Sequence, residues 1–203
     1  MASSLQPRAR RLIAFAPILS LAAGVLSAGN ASAQTLQDKI AACAACHGET
    51  GQPANPDIPT IGGQPKLFVM YQLFYYREGR RKSPEMNTVA KDMSDAELTA
   101  ISDYVARLPA PPPLTDTIEA ARYRRGADLA RIRLCASCHN PDYSGREQMP
   151  RLAGQREGYL FRAFKDYQAG VRVGTQAAMA EAVRGLGDAD LADLAYYLAR
   201  FRP

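Results

Sequence analysis

Histidine is scarce in this sequence, with two among 203 residues, beside four cysteines and no tryptophan. Every Cys and His falls in one of two five-residue strings, Cys43-Ala44-Ala45-Cys46-His47 and Cys135-Ala136-Ser137-Cys138-His139. None is left over for a separate zinc site, a Cys-His nucleophile pair, a Ser-His-Asp triad or a disulfide framework, which excludes most hydrolase chemistries. Alternating strand patterns are missing too, so the fold class expected is all-α. With 47% apolar and 22% charged residues the chain is globular rather than disordered.

The first 33 residues read as a cleaved secretory signal. Arg8, Arg10 and Arg11 form a positive start, Leu12 to Leu26 is apolar, and Ala31-Ser32-Ala33 offers a small-residue cleavage site before Gln34. The apolar run is short for a bilayer span and is interrupted by Pro17 and Gly24. Cleavage would remove three arginines and no acid, taking the net charge from +5 to +2. A nucleic-acid partner needs a dense basic face, and that signal disappears with the leader. No later apolar stretch is long enough to span a bilayer, so membrane contact after cleavage is limited to peripheral association.

The remainder is a repeat. Cys43 and Cys135 lie 92 residues apart, Pro59 and Pro150 lie 91 apart, and Gly63-Gln64 matches Gly154-Gln155 at the same offset. Gly79-Arg80-Arg81 matches Gly170-Val171-Arg172, and at an offset of 93 Met86 matches Met179, Met93 matches Leu186 and Tyr104 matches Tyr197. Between the copies, residues 109–114 are proline-rich and should form an extended, semi-rigid connector. The domains expected are therefore 34–108 and 115–203. Helices are expected over 34–45, 65–77, 117–134 and 156–169. Ser94 with Glu97 forms a capping box ahead of the stripe Leu98, Ile101, Val105 and Leu108, and Gly187 or Asp188 opens the matching helix.

C-x-x-C-H is the attachment signature of c-type haem. Two thiols one helical turn apart reach the two vinyl groups on one edge of the macrocycle, and the adjacent His ligates iron. Zinc ribbons place their Cys pairs closer together, and a thioredoxin-like dithiol needs a βαβ context that is absent. The strings thus predict two covalently bound haem c groups, with Cys43, Cys46, Cys135 and Cys138 as thioether residues and His47 and His139 as iron ligands. Both histidines being committed, the sixth ligand must differ. Only Met86 and Met179 correspond between the copies, 39 and 40 residues after their His. The alternatives are core methionines, with an open site or a Lys on iron. A carbonyl near Pro59 and Pro150 is placed to accept the proximal imidazole N–H, or these are plain turn prolines. Arg81 and Arg172 are candidates to neutralise haem propionates, or are solvated surface arginines. Tyr75-Tyr76 and Tyr196-Tyr197 read as helix core.

These motifs together resemble a dihaem class I cytochrome c, and are similar to the cytochrome c4 family. Each unit has C-x-x-C-H, then Pro, Gly-Gln, a Phe/Tyr-rich helix, Gly-x-Arg, a Met and a closing helix. The resemblance covers nearly all of 34–203. It implies two tandem cytochrome c domains related by approximate twofold symmetry, with His47/Met86 and His139/Met179 ligation. It also implies a periplasmic carrier passing electrons one at a time from a respiratory donor toward a terminal oxidase. The first unit lacks the Gly that family members often carry ahead of the Cys pair, a place Gly126 fills in the second. Asn140 stands after His139 where Gly48 follows His47. These departures leave room for a cytochrome subunit of a dehydrogenase complex. A dihaem enzyme with one open iron needs an acid-base group beside it, and no spare His exists.

Overall fold

The repeat and its helical periodicity are laid out in space as two similar sets of helices. The computed structural model describes residues 29–114, 116–172 and 177–202; the leader expected over 1–33 lies outside them except for its last five residues. The first set is α1 (Gly29–His47), α2 (Lys66–Arg77), α3 (Pro84–Ala90) and α4 (Asp95–Arg107). The second is α5 (Ala120–Ile132), α6 (Cys135–His139), α7 (Glu157–Gln168), α8 (Ala177–Val183) and α9 (Asp188–Ala199). Among the described residues the only strand-like feature is an isolated bridge between Arg146 and Met149, and no helix is long and apolar enough to cross a membrane.

The packing order is repeated. Helix α1 lies on α4 as α5 lies on α9, α2 on α4 as α7 on α9, and α2 on α3 as α7 on α8. Each set closes over its own core. Leu73, Tyr76, Ala90, Met93, Leu98, Ile101 and Val105 form the first, and Leu160, Phe164, Val183, Leu186, Leu191, Leu194 and Leu198 belong to the second. Met93 and Leu186 are both buried, so that pair of repeat positions serves packing. Fully burying each such side chain contributes about 1.5–3 kcal/mol.

Local chemistry explains the boundaries. Ser94 caps α4 by accepting from the Glu97 N–H at 3.3 Å, while the Glu97 carboxylate accepts from the Ser94 N–H at 2.9 Å. The other Glu97 oxygen pairs with Lys39 at 2.7 Å, tying α4 to α1. At α9 the cap is Gly187, whose N–H donates to Asp190 at 3.1 Å.

The helix expected over 117–134 is divided. Leu134 sits in the left-handed region at φ 54°, separating α5 from α6. The break is held by Ser137, whose amide and hydroxyl both donate to the Leu134 carbonyl, at 3.0 and 2.7 Å. In the first copy the corresponding residue is Ala45, which has no hydroxyl to offer, and α1 runs unbroken through its cysteines.

The halves meet through the loops around 59–65 and 150–156 and through the proline-rich segment. The backbones at Gly62 and Gly63 approach Pro109 and Ala110, and Gly154 approaches Pro111, too closely to admit a Cβ without displacement.

Candidate haem sites

His47 is the last residue of α1 and His139 the last of α6, and both are buried, at 7% and 3% exposure. Each imidazole Nδ1 meets a proline carbonyl twelve or eleven residues on, Pro59 at 2.9 Å and Pro150 at 2.8 Å. A carbonyl only accepts, so Nδ1 carries the proton and Nε2 keeps its lone pair. Burial pushes both imidazoles below their ordinary pKa, and the hydrogen bonds to Pro59 and Pro150 only partly counter it. Each ring is therefore a neutral, oriented nitrogen base at pH 7, the form that ligates metal.

The cysteines share one asymmetry. Cys43 and Cys135 are half-buried, whereas Cys46 and Cys138 are exposed, and none of the four is engaged in a disulfide. Burial raises the Cys43 thiol and pushes that of Cys135 up to about 11. Among the described residues, no three His, Cys, Asp or Glu side chains gather as a metal cage. The strings thus have the disposition of attachment sites rather than of zinc centres.

Met86 lies on α3 and Met179 on α8, short helices that the sequence pattern did not reveal. Both methionines are half-buried and pack against the core of their own half. Helix α3 begins at Ser83, whose hydroxyl accepts from the Met86 N–H at 3.4 Å, with Pro84 at the first helical position.

Arg81 and Arg172 are not solvated surface residues; the fold brings both to one polar cluster between the halves. Arg81 donates to Gln72 at 2.6 Å and to the Tyr159 hydroxyl at 3.0 Å, and Arg172 approaches Gln72 at 3.5 Å. Each guanidinium also lies over a tyrosine ring, Arg81 over Tyr76 at 4.6 Å and Arg172 over Tyr167 at 4.9 Å. Burial raises the Tyr159 phenol, but the two adjacent guanidiniums outweigh burial and hold it below its ordinary value. Tyr196, by contrast, is occupied away from this cluster: its hydroxyl accepts from the Glu119 N–H at 2.8 Å.

Among the described residues, four buried polar atoms have no partner within the protein: Gln72 Nε2 and the Nε atoms of Arg151, Arg156 and Arg172. All four are donors, and all lie in the region where the halves meet. Leaving such donors unsatisfied costs about 1–3 kcal/mol each, so acceptors belong there. Haem propionates are carboxylates and match this set. Thiols one turn apart, neutral imidazoles with Nε2 free and buried donors that lack acceptors together fit haem c.

Gln72 and Tyr159 belong to no motif in the sequence. Both break the repeat, their counterparts being Ala163 and Phe68. Gln64 and Gln155 were visible only as repeat landmarks. In the structure each is buried and reaches into the opposite half.

Comparison with known proteins agrees with this geometry. The family profile described as Cytochrome c matches twice, over residues 31–109 and 123–201. Cytochrome c4 of Pseudomonas aeruginosa is 30% identical over 181 residues, spanning 85% of this chain and 89% of that protein. The thiosulfate dehydrogenase electron acceptor of Thiomonas intermedia is 31% identical, spanning 94% and 90%. The crystal structure of reduced cytochrome c4 from Pseudomonas stutzeri superposes with a TM-score of 0.75 at 26% identity, covering 84% of this chain and 98% of that one. The chain belongs to the cytochrome c family, among the dihaem cytochromes c4, and is an electron-transfer protein with two covalently bound haem c groups.

Proposed function

We propose that this chain is a periplasmic carrier, exported by the leader at 1–33 and built of two domains, 34–108 and 115–203, joined by the connector at 109–114. It takes electrons one at a time from a respiratory donor and delivers them to a terminal oxidase or another acceptor protein. Cys43 and Cys46 tether one haem and Cys135 and Cys138 the other, with His47/Met86 and His139/Met179 as axial ligands. Bound haem supplies a one-electron iron couple. The protein fixes each imidazole through the proline carbonyl, surrounds the ring with apolar side chains and offers Arg81, Arg172 and Gln72 to the propionates.

The observation that carries this reading is the duplicated His–Pro hydrogen bond. It leaves one ligating nitrogen in each half and no further histidine to act as a proton-transfer group. A second reading, the electron-accepting partner of a dehydrogenase, is favoured by the similarity to the Thiomonas electron acceptor.

The test is spectroscopic. Both haems of the mature protein should be low-spin and show the long-wavelength Met-to-iron charge-transfer band. Met86→Ala and Met179→Ala should each abolish half of that band. A high-spin haem in the parent protein that binds cyanide readily would refute the carrier reading. Copurification at fixed stoichiometry with a catalytic subunit would establish the second reading.

A further inference from the structure

The two halves are joined by a reciprocal pair of glutamine contacts whose targets are the peptides that hold the histidines. Gln155, from the second half, accepts from the Thr60 N–H at 2.8 Å and donates to the Thr60 carbonyl at 2.8 Å. Gln64, from the first half, accepts from the Arg151 N–H at 3.0 Å and donates to the Arg151 carbonyl at 3.0 Å. Thr60 follows Pro59 and Arg151 follows Pro150. The N–H that each glutamine engages therefore belongs to the same amide group whose C=O accepts from the proximal histidine of the opposite half.

An amide is one conjugated unit. Hydrogen bonding at its N–H moves electron density toward its oxygen, and hydrogen bonds in such chains strengthen one another by about 10–30% each. A more negative oxygen pulls harder on the imidazole Nδ1–H, and this raises the basicity of the ligating nitrogen. A more basic ligand favours ferric iron. The geometry points to a crossed arrangement, in which Gln155 tunes the haem of the first half and Gln64 tunes the haem of the second. Burial strengthens the effect, since Thr60, Gln64 and Gln155 are each at most 5% exposed and water does not compete for these bonds. The two glutamines are positioning residues, acting on iron through one peptide and one imidazole. The inference rests on His47 and His139 being the proximal ligands.

The test uses the mature dihaem protein carrying Gln155→Met or Gln64→Met, of similar shape but without the polar end. Potentials are followed by redox titration with proton NMR, each haem's methyl resonances being assigned through contacts to its own thioether cysteines. Gln155→Met should raise the potential of the haem on Cys43 and Cys46, by about a threefold change in the reduction equilibrium, or about 28 mV at 59 mV per tenfold. The other haem should hold its value. Gln64→Met should give the mirror result. Deuterium exchange at Nδ1 should speed up at the histidine of the opposite half only. If Gln155→Met does not mature, Gln155→Asn, too short to span both bonds, should show the same crossed shift. A shift confined to the mutated half, an equal shift in both haems or no shift, with His/Met low-spin spectra intact, overturns the crossed arrangement alone. Absence of His ligation in the parent protein overturns the reading beneath it.

Discussion

At Gly126 the backbone of α5 lies against Asp193 and Tyr197 of α9. A Cβ added there would lie 2.5 Å from Tyr197 Cβ and nearer still to the Asp193 carbonyl oxygen. Neither obstacle is the free end of a flexible side chain, so no rotamer change relieves the clash. Helix α9 would have to back away, disturbing Leu194, Ala195 and Leu198, all at 2% exposure or less. Overpacking of this kind costs about 1–3 kcal/mol. Because backbone is involved the upper end applies, while alanine returns about 1 kcal/mol of helix propensity. Gly126→Ala should therefore destabilise the protein by roughly 2 kcal/mol, a fall in Tm of roughly 4–8 °C for a chain of this size. The assay is a thermal melt of the mature protein followed at the haem bands of each half. The control is Gly158→Ala on α7, where the new Cβ would lie 3.4 Å from the movable Arg162 Nη1, and where Tm should hold or rise. If Gly126→Ala melts at or above the parent temperature, the helix contact does not constrain the second half as argued.

Two further outcomes follow from the charges. Arg81→Gln or Arg172→Gln should lower the reduction potentials, because a cation is lost from the side of the site where donors lack partners; a rise on spectroelectrochemical titration would contradict the assignment. Lys39 and the Ser94 cap hold the Glu97 carboxyl at about 2, below its usual 4.5. A depressed acid contributes stability that is present above its unfolded value and lost as pH falls through the folded one. Glu97→Ala should thus cost about 1 kcal/mol at pH 7, and the gap between parent and variant melts should close between pH 4.5 and about 2.

The sequence exposes features whose partners are close along the chain. The C-x-x-C-H strings, the Ser94–Glu97 box and the stripe along α4 are of this kind, and they recur in the structure at the expected residues. The boundary at Leu134 was hidden because it depends on one hydroxyl, that of Ser137, in an otherwise helical segment. Helices α3 and α8 are too short, at seven residues each, for apolar periodicity to develop. The glutamine contacts join residues 87 and 95 positions apart, and no local pattern encodes such a pairing. Gln72 and Tyr159 carry no repeat signal, because the residues at the matching positions, Ala163 and Phe68, differ from them.

A duplicated module can ordinarily be separated at its connector to give two independent halves. Here Pro109 and Ala110 cover Gly62 and Gly63, and Pro111 covers Gly154, so the joining segment is also a shared wall. Cutting at 109–114 would strip a face from each half and expose the buried backbone at Gly62. An engineer wanting a single-haem version would need to resurface those glycine-lined faces first. By the same logic, a flexible insertion in the connector would loosen both halves rather than lengthen the distance between them. The two copies are thus bound together at the one place where the repeat is easiest to see in the sequence.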